Sequence, residues 1–167
     1  MGDRRLGLSE PRWLDVEQQR AWRLFQVMQV RLAARLAHDL SSHSELSYQD
    51  YLVLVALTDQ EDGRMRVFEL ARHLGWEKSR ISHQVARMEQ RGLVQKVRCG
   101  ADRRGATVCV SALGRARIEA AAPSHVDAVR RLFVDRLTPA QMQCLAEISA
   151  TVLRAVSDDE GCWPSRP

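Results

Sequence analysis

Apolar residues recur every three or four positions along most of the chain, which is the spacing of amphipathic helices. The first such stretch runs from about Trp13 to Ser42, and its apolar stripe is formed by Phe25, Met28, Leu32, Leu36 and Leu40. Leu24, Val27 and Val30 widen this stripe beyond what a single core contact needs. We therefore expect one long helix that packs against a second subunit.

A second helix is predicted after Leu46. Ser47 is a favourable N-cap, and Asp50, three residues further on, suits the reciprocal cap of a capping box. The buried face of this helix is expected to be Tyr51, Leu52, Leu54, Val55 and Leu57. Asp62-Gly63 is expected to end the helix, and residues 64–67 are expected to add a short strand to a later hairpin.

The next stretch has the pattern of two helices joined by a tight turn. A small helix is predicted from the apolar residues Val67, Leu70, Ala71 and Leu74. Gly75 suits the left-handed residue that closes such a helix. The following helix is expected to bury Ile81, Val85 and Met88. Its opposite face would then carry Lys78, Ser79, Ser82, His83, Gln84 and Arg87, and Arg80 is a further basic residue of this helix.

A β-hairpin is predicted after these helices. Gly92 stops the second helix, residues 93–98 alternate like a strand, and residues 107–110 form its return. The tip reads Asp102-Arg103-Arg104-Gly105, and a turn at Asp102-Arg103 would place Cys109 opposite about Lys96. Helix, turn, helix and basic hairpin in this order predict a winged helix-turn-helix, a device that places one helix in the DNA major groove.

Two more helices are predicted towards the C-terminus. Ser111 caps one that reaches roughly Phe133 and is interrupted near Ala122-Pro123, and Thr138-Pro139 opens the last one. The expected fold class is mainly α with a small β-wing (α+β), a winged helix-turn-helix with flanking dimerisation helices. Its expected segments are an N-terminal dimerisation helix (1–45), a DNA-binding lobe (46–110), C-terminal dimerisation helices (111–157) and a disordered tail (158–167).

Positive charge is concentrated in the predicted DNA-binding lobe. Residues 64–104 hold 11 Lys and Arg against 4 Asp and Glu, a net charge of +7, whereas the whole chain carries only +4. The rest of the chain is therefore slightly acidic. A basic island of this kind is typical of a surface that contacts phosphate groups.

Other functional classes are disfavoured by the sequence. Its apolar runs fall short of the ~20 residues needed to cross a bilayer, and its N-terminus lacks a signal-peptide core, so we expect a cytoplasmic protein without a membrane partner. The four cysteines, Cys99, Cys109, Cys144 and Cys162, lack zinc-ribbon or CxxC spacing. No cofactor or metal is expected. Nor does a nucleophile elbow or phosphate loop occur, so we expect no enzyme activity.

The chain resembles the MarR family of winged-helix transcription regulators over roughly residues 13–156. Five motifs carry the resemblance: Leu46-Ser47-(x)3-Tyr51-(x)2-Leu54, Glu69-Leu70-Ala71, Ser79-Arg80-Ile81-Ser82, Met88-Glu89-(x)2-Gly92-Leu93-Val94 and Asp102-Arg103-Arg104-Gly105. Each is weak alone, but the set in this order is specific. The resemblance implies a homodimer whose two winged lobes face one double-stranded DNA operator. A two-fold dimer presents its recognition helices about 34 Å apart, so the operator should be a rough palindrome.

Roles for the lobe's side chains follow from their chemistry. Lys78, Ser79 and Arg87 suit phosphate contacts. The side chains placed to reach base edges are Arg80, Ser82, His83 and Gln84. In the wing, the resemblance implies that Asp102 holds Arg104 by an ion pair and that Arg103 or Arg104 enters the minor groove.

Control by a small molecule is a further implication of the resemblance. Many family members release DNA when an aromatic or anionic effector enters a crevice beside the dimerisation helices. Residues in helices that border such a crevice are Trp13, Trp22, Arg23, His38, Tyr48 and Tyr51. The sequence leaves the effector and its pocket open, since such aromatic side chains also serve as core residues.

Two alternatives to an effector-controlled repressor remain open. Cys99 lies beside the basic wing, where a lowered thiol pKa would make the protein an electrophile or redox-responsive regulator. The winged helix would instead be a protein-protein interaction module if its basic face met an acidic partner. A selection from random DNA separates the latter from a sequence-specific regulator.

Overall fold

Six α-helices and one small sheet make up the part of the chain that the computed structural model describes, residues 11–98 and 106–158. The helices are α1 (Val16–His43), α2 (Tyr48–Thr58), α3 (Val67–His73), α4 (Lys78–Gln90), α5 (Ala112–Leu132) and α6 (Pro139–Asp158). A short 3-10 helix, Val134–Arg136, precedes α6. The predicted class, mainly α with a small β-wing, is confirmed. The expected tail, residues 158–167, lies outside the described residues except for its first position.

The chain divides into two compact units, Met1–Ala34 and Arg35–Pro167. In the first unit, α1 begins at Val16, three residues later than predicted, and presents apolar side chains to its surroundings. Trp22 is 52% exposed and Val30 is 69% exposed. The rings of Trp22 and Phe25 lie 5.8 Å apart, one helical turn from each other. The predicted apolar stripe is therefore exposed along this first unit, whereas its last members, Leu36 and Leu40, belong to the second unit and are buried.

In the second unit, α2 begins with the predicted capping box. The backbone N–H of Asp50 donates to Ser47 Oγ at 3.1 Å, and the backbone N–H of Ser47 donates to Asp50 Oδ2 at 2.9 Å. Two backbone donors that a helix start leaves without partners are thus satisfied reciprocally. The helix ends at Thr58, earlier than the predicted stop at Asp62-Gly63.

The sheet is antiparallel and consists of β1 (Arg64–Arg66), β2 (Val94–Arg98) and β3 (Ala106–Val110) in the order β1-β3-β2. The strand expected from residues 64–67 is present over Arg64–Arg66, since Val67 already begins α3, and it pairs with the returning strand of the hairpin. The register is one residue away from the predicted one, because Cys109 faces Gln95 rather than Lys96.

The turn between α3 and α4 is closed by a Schellman motif. Gly75 has a φ of +61°, its N–H donates to the carbonyl of Arg72 at 3.1 Å, and the N–H of Trp76 donates to the carbonyl of Ala71 at 2.8 Å. The left-handed residue predicted at Gly75 is confirmed. Helix α4 ends in the same way at Gly92. The C-terminal ends of both helices are therefore fixed by backbone hydrogen bonds.

The core of this unit lies beneath α4. Ile81, Val85 and Met88 are fully buried, as their spacing predicts. They join a cluster whose other fully buried large side chains are Leu40, Leu46, Val53, Leu54, Leu57, Leu70, Val94 and Val108. Packing of one apolar face of α4 against α2, α3 and the sheet fixes which face of α4 points outward.

A buried carboxylate also ties α4 to the start of α2. Asp50 is only 2% exposed, and its Oδ1 accepts a hydrogen bond from Gln84 Nε2 at 2.6 Å. Its Oδ2 accepts one from Arg91 Nη1, also at 2.6 Å, while Arg91 Nη2 donates to the carbonyl of Glu45. Burial raises the pKa of Asp50, but hydrogen bonds from Ser47 and Arg91 outweigh this effect and hold the pKa below the ordinary aspartate value.

Helix α5 corrects a prediction. It runs without interruption from Ala112 to Leu132, although Pro123 lies inside it. Proline removes one helical hydrogen bond and crowds the preceding turn. Ala121 and Ala128, on either side of it, are both buried, so tertiary packing holds the two halves in one helix. The predicted caps are present, since Ser111 Oγ accepts from the N–H of Gly114, and Thr138 Oγ1 accepts from the N–H of Gln141.

Two glycine substitutions are expected to separate backbone strain from steric conflict. Gly75→Ala should lower the free energy of unfolding by about 1 kcal/mol, because a Cβ there meets no atom within 4 Å and only the positive φ is penalised. Gly114→Ala should cost about 3 kcal/mol or more, because its Cβ would lie 2.1 Å from the Leu93 carbonyl oxygen. Urea denaturation of both variants measures this order, and equal losses would contradict it.

The Asp50 network is expected to stabilise the fold in a pH-dependent way. Asp50→Asn should lower the free energy of unfolding at pH 7 by about 1–3 kcal/mol, since it weakens charge-assisted hydrogen bonds in a buried site. Because the folded pKa is lowered, this stabilisation is complete above about pH 3.9 and is lost as the pH falls towards the lowered value. The difference between wild type and variant should therefore shrink on acidification below that pH.

Asp62→Asn is the matched control for this prediction. Asp62 pairs with Arg64 at 2.7 Å, but both side chains are more than half exposed, so the pair should contribute at most about 1 kcal/mol. Urea denaturation at pH 7 and at a series of lower pH values measures both variants. A loss for Asp50→Asn no larger than that for Asp62→Asn would show that the network does not stabilise the fold.

Candidate nucleic-acid interface

The outward face of α4 is polar and basic. Lys78, Ser79, Arg80, His83 and Arg87 are all exposed, and they lie opposite the buried apolar face. Five of the seven side chains of this helix that the sequence predicts to contact DNA therefore point away from the core. This face has the chemistry of a phosphate- and base-contacting surface, with two guanidinium groups, an ammonium group, a hydroxyl and an imidazole.

Gln84 does not belong to this face, which corrects the prediction that it reaches base edges. Its side chain is 2% exposed and its amide donates to the buried Asp50. A position one residue after His83 on the helix turns towards α2, and the Asp50 carboxylate there offers a charged acceptor. Gln84 is consequently part of the frame that holds α4.

Gln84 nevertheless reaches the outward face through a neighbour. Arg87 Nη2 donates a hydrogen bond to Gln84 Oε1, one helical turn away. The amide thus donates to the carboxylate of Asp50 with one end and accepts from Arg87 with the other. Through this relay, the buried carboxylate of Asp50 fixes the orientation of the exposed guanidinium of Arg87.

Ser82 is half-buried and satisfied within the helix. Its hydroxyl donates to the carbonyl of Lys78 at 2.8 Å, the bond that serine often makes to the preceding helical turn. The hydroxyl oxygen keeps lone pairs that can accept a hydrogen bond from a base or from water. Ser82 therefore lies at the border of the face rather than at its centre.

Trp76 was not recognised in the sequence, and it lies against the first turn of α4. The guanidinium carbon of Arg80 is 4.2 Å from the centroid of a Trp76 ring, within the range of a cation-π contact. Trp76 and Arg80 are four residues apart, which is a helical neighbour spacing, but Trp76 precedes the helix. The four-residue spacing was the one feature of the sequence that could have predicted this contact, but such a spacing indicates contact only between residues of the same helix.

The start of α4 leaves backbone donors available. Its N-cap is Glu77, whose side chain, within the described residues, makes no capping hydrogen bond. The first backbone N–H groups of a helix have no partner inside that helix. Together with the exposed Lys78 and Ser79, they form a surface with the donors that phosphate oxygens accept from.

The wing is described only along its two strands. Residues 99–105, which include Cys99, Asp102, Arg103 and Arg104, lie outside the described residues. Strands β2 and β3 pair antiparallel up to Arg98 and Ala106, so the segment with the predicted arginine tip connects the ends of this hairpin. The roles predicted for that segment stay predictions.

Three rings meet between α2 and α5. The ring centroids of Tyr51 and His125 lie 4.4 Å apart, and those of Tyr48 and His125 lie 6.4 Å apart. The Nδ1 atom of His125 is buried and has no hydrogen-bond partner among the described residues. Burial lowers the pKa of His125 and raises that of Tyr51, so both groups are neutral at physiological pH.

The residues expected to border an effector crevice do not share one environment. Tyr51 is 8% exposed and belongs to the core, and Tyr48 is half-buried against it. Trp13 is 83% exposed, and Trp22, Arg23 and His38 are exposed as well. His125, which the sequence did not single out, is the residue that the structure adds to the tyrosines.

The described ranges contain no group of three or more His, Cys, Asp and Glu side chains that could hold a metal ion. Of the cysteines in these ranges, Cys109 and Cys144 are free thiols. None of the helices described here is both long enough and apolar enough to span a bilayer.

The chain is similar to solved MarR family structures. A family model described as MarR family matches residues 44–105. AbsC from Streptomyces coelicolor is 35% identical with a TM-score of 0.82, over 89% of this chain and 99% of AbsC. Sco3205 from the same organism, solved in complex with DNA, is 35% identical with a TM-score of 0.81, over 92% of this chain and 96% of Sco3205.

A more distant structure shares the fold alone. BpsR from Bordetella bronchiseptica, whose DNA binding is regulated by 6-hydroxynicotinic acid, is 21% identical with a TM-score of 0.69, over 80% of this chain and 98% of BpsR.

No curated protein sequence shows significant similarity to the chain. AbsC and Sco3205 match nearly the whole chain at 35% identity. The protein therefore belongs to the MarR family of transcriptional regulators, a family of transcription factors rather than of enzymes.

Proposed function

We propose that the protein is a homodimeric repressor that binds a palindromic DNA operator in the cytoplasm and is released by a small-molecule effector. The observation that carries this proposal is the outward face of α4, where exposed basic groups stand on a helix fixed from below by Asp50 and by the core. A rigid basic helix of this kind is the element that winged-helix proteins insert into the major groove.

The comparison with Sco3205 supports DNA as the ligand. That protein was solved in complex with DNA and is 35% identical to this chain over 92% of its length. In the proposed complex, Lys78, Ser79 and Arg87 contact phosphates, and Ser82 and His83 reach base edges. Asp102 holds the wing, and Arg103 or Arg104 enters the minor groove.

A second copy of the chain is proposed because two helices expose apolar surface. In α6, Ile148, Val152 and Val156 are 61%, 55% and 56% exposed and recur every four residues on one side of the helix. Helix α1 exposes Trp22, Leu24 and Val30 independently. Monomeric proteins rarely leave such stripes in water. The proposed dimer buries both, with residues 1–45 and 111–157 as dimerisation segments around the lobe of residues 46–110.

An aromatic or anionic effector is proposed to bind beside α5. The ring of His125 has a buried nitrogen without a partner in the described residues, and it lies 4.4 Å from the Tyr51 ring with the two planes tilted by 45°. Elsewhere on the same helix, Arg117, rather than His125, borders a cavity of about 400 Å³ next to the α1–α2 loop, where it pairs with Glu45 at 2.8 Å. This volume suits a small ligand, and the guanidinium suits an anionic one.

Two other functions predict different results. A regulator that senses electrophiles through Cys99 would lose operator binding after thiol modification and keep it in a Cys99→Ser variant. A protein-protein interaction module would show no preferred DNA sequence. The 35% identity to a structure solved with DNA favours the operator-binding repressor over the interaction module.

Selection from random double-stranded DNA tests the central proposal. We expect an enriched palindrome with half-sites about one helical turn apart, and a logarithm of affinity that falls steeply with the logarithm of salt concentration. Arg104→Ala should weaken binding by on the order of 1–3 kcal/mol. Arg136→Ala is the control, because this exposed arginine follows α5 at the end away from the sheet. Undiminished binding by Arg104→Ala would refute the role of the wing.

The dimer is tested by two negative charges placed on the apolar stripe of α6. A variant with Ile148→Glu and Val152→Glu should sediment as a monomer of about 19.0 kDa, whereas wild type should sediment at twice this mass. The monomer should also bind the operator far more weakly, because it presents one recognition helix instead of two. Ala150→Glu, on the opposite side of α6, is the matched control and should remain dimeric. Monomeric wild-type protein at micromolar concentration would refute the dimer.

A further inference from the structure

We propose that Trp76 is a positioning residue for DNA binding, which holds the guanidinium of Arg80 at the start of α4 as a contact for a backbone phosphate. The inference rests on the proposed DNA-binding function and refines it. It assigns Arg80 to phosphate, whereas its place on the helix first suggested a base edge. Trp76 itself touches no DNA in this proposal and acts through Arg80.

Trp76 has the rigidity that a platform needs. Its N–H donates to the Ala71 carbonyl at 2.8 Å in the Schellman motif that ends α3. Its side chain is half-buried and packs against the hydrophobic core. Glu77, the next residue, is the N-cap of α4, so Trp76 occupies the position from which an apolar side chain staples a helix start to its core. The indole ring of Trp76 is therefore held in place by the backbone hydrogen bond of the residue and by the packing of one of its sides against the core.

Arg80 covers the side of the ring that faces away from the core. Its guanidinium carbon lies 4.2 Å from the ring centroid, and the residue is exposed. No carboxylate of the described residues pairs with it, so its charge is available to a ligand. Helical side chains lean towards the N-terminus, and this contact keeps Arg80 in that direction, beside the first turn of α4.

A guanidinium held in this place suits a phosphate better than a base. Stacking on an indole uses the face of the guanidinium and leaves its N–H edge free for a bidentate contact with two oxygens. The exposed Lys78 and Ser79 and the first backbone N–H groups of α4 lie on the same turn. To reach a base edge further along the groove, Arg80 would have to leave the ring. His83, one turn later and exposed, needs no such movement.

The test is a double-mutant cycle on the full-length protein. The variants are Trp76→Leu, Trp76→Phe, Arg80→Ala and the double variant with Trp76→Leu and Arg80→Ala. Their affinities are measured over a salt series for two DNA duplexes, the selected operator and a scrambled duplex of the same length. Leucine keeps an apolar group against the core without a π face, and phenylalanine restores the π face. Thermal unfolding of each variant confirms that it is folded.

The proposal fixes the result of each measurement. Arg80→Ala should weaken binding to both duplexes by the same factor and reduce the salt slope by about one for each protomer. Trp76→Leu should weaken binding about two- to fivefold, and Trp76→Phe should recover most of this loss. In the Arg80→Ala background, Trp76→Leu should have no further effect. Because Trp76 carries no charge, any change in salt slope caused by Trp76→Leu would have to act through Arg80.

Three outcomes would overturn the proposal. An equal loss from Trp76→Leu with and without Arg80 would show that Trp76 acts through packing alone. If Arg80→Ala removed the preference for the operator but left affinity for the scrambled duplex unchanged, Arg80 would read bases. Wild-type protein that bound neither duplex would overturn the DNA-binding function itself. That result is distinguishable, because the first two require a wild type that binds.

Discussion

The carboxylate of Asp50 is the interaction on which the arrangement of the winged lobe depends. It is almost fully buried, yet it accepts hydrogen bonds from the start of α2, from Gln84 in the middle of α4 and from Arg91 at the end of α4. A buried charge is costly unless it is fully hydrogen-bonded. Any displacement of α4 relative to α2 would break two of these bonds and leave the carboxylate buried with fewer partners. The charge therefore fixes the recognition helix in position and in rotation about its axis.

Features that depend on neighbouring residues could be predicted from the sequence, and features that depend on distant ones could not. The capping box of Ser47 and Asp50, the left-handed Gly75 and the buried face of α4 follow from spacings of a few residues. The contact between Asp50 and Gln84 joins positions 34 residues apart. The sequence pattern therefore predicted an outward position for Gln84, because a polar residue is expected on the polar face of a helix when its distant partner is not known. The continuity of α5 was not predicted for the same reason. The effect of Pro123 on the helix is local, whereas the packing that outweighs it is tertiary.

The candidate DNA surface shows this division between local and distant effects in detail. The sequence predicted that basic and hydroxyl side chains would share the helix face opposite an apolar one, and Lys78, Ser79, Arg80, His83 and Arg87 are exposed there. It did not identify their orientation. Arg87 is oriented through Gln84, which is buried, and Arg80 lies over the ring of Trp76, which is half-buried. A guanidinium oriented before binding loses less conformational entropy when it meets its ligand, so in the proposed complex Gln84 and Trp76 contribute to affinity without contacting DNA.

The same buried contacts provide a physical route for the proposed regulation. Tyr51 follows Asp50 directly in α2, and its ring lies against that of His125 in α5, so the first turn of α2 connects the proposed effector site with the recognition helix. A ligand that moved this turn would displace the carboxylate that Gln84 and Arg91 share. The short hydrogen bonds of the network tolerate little movement, and α4 would have to follow or lose them. Release of DNA would then require no unfolding of the lobe, because a small change in the position of one carboxylate reorients the helix that carries the basic face.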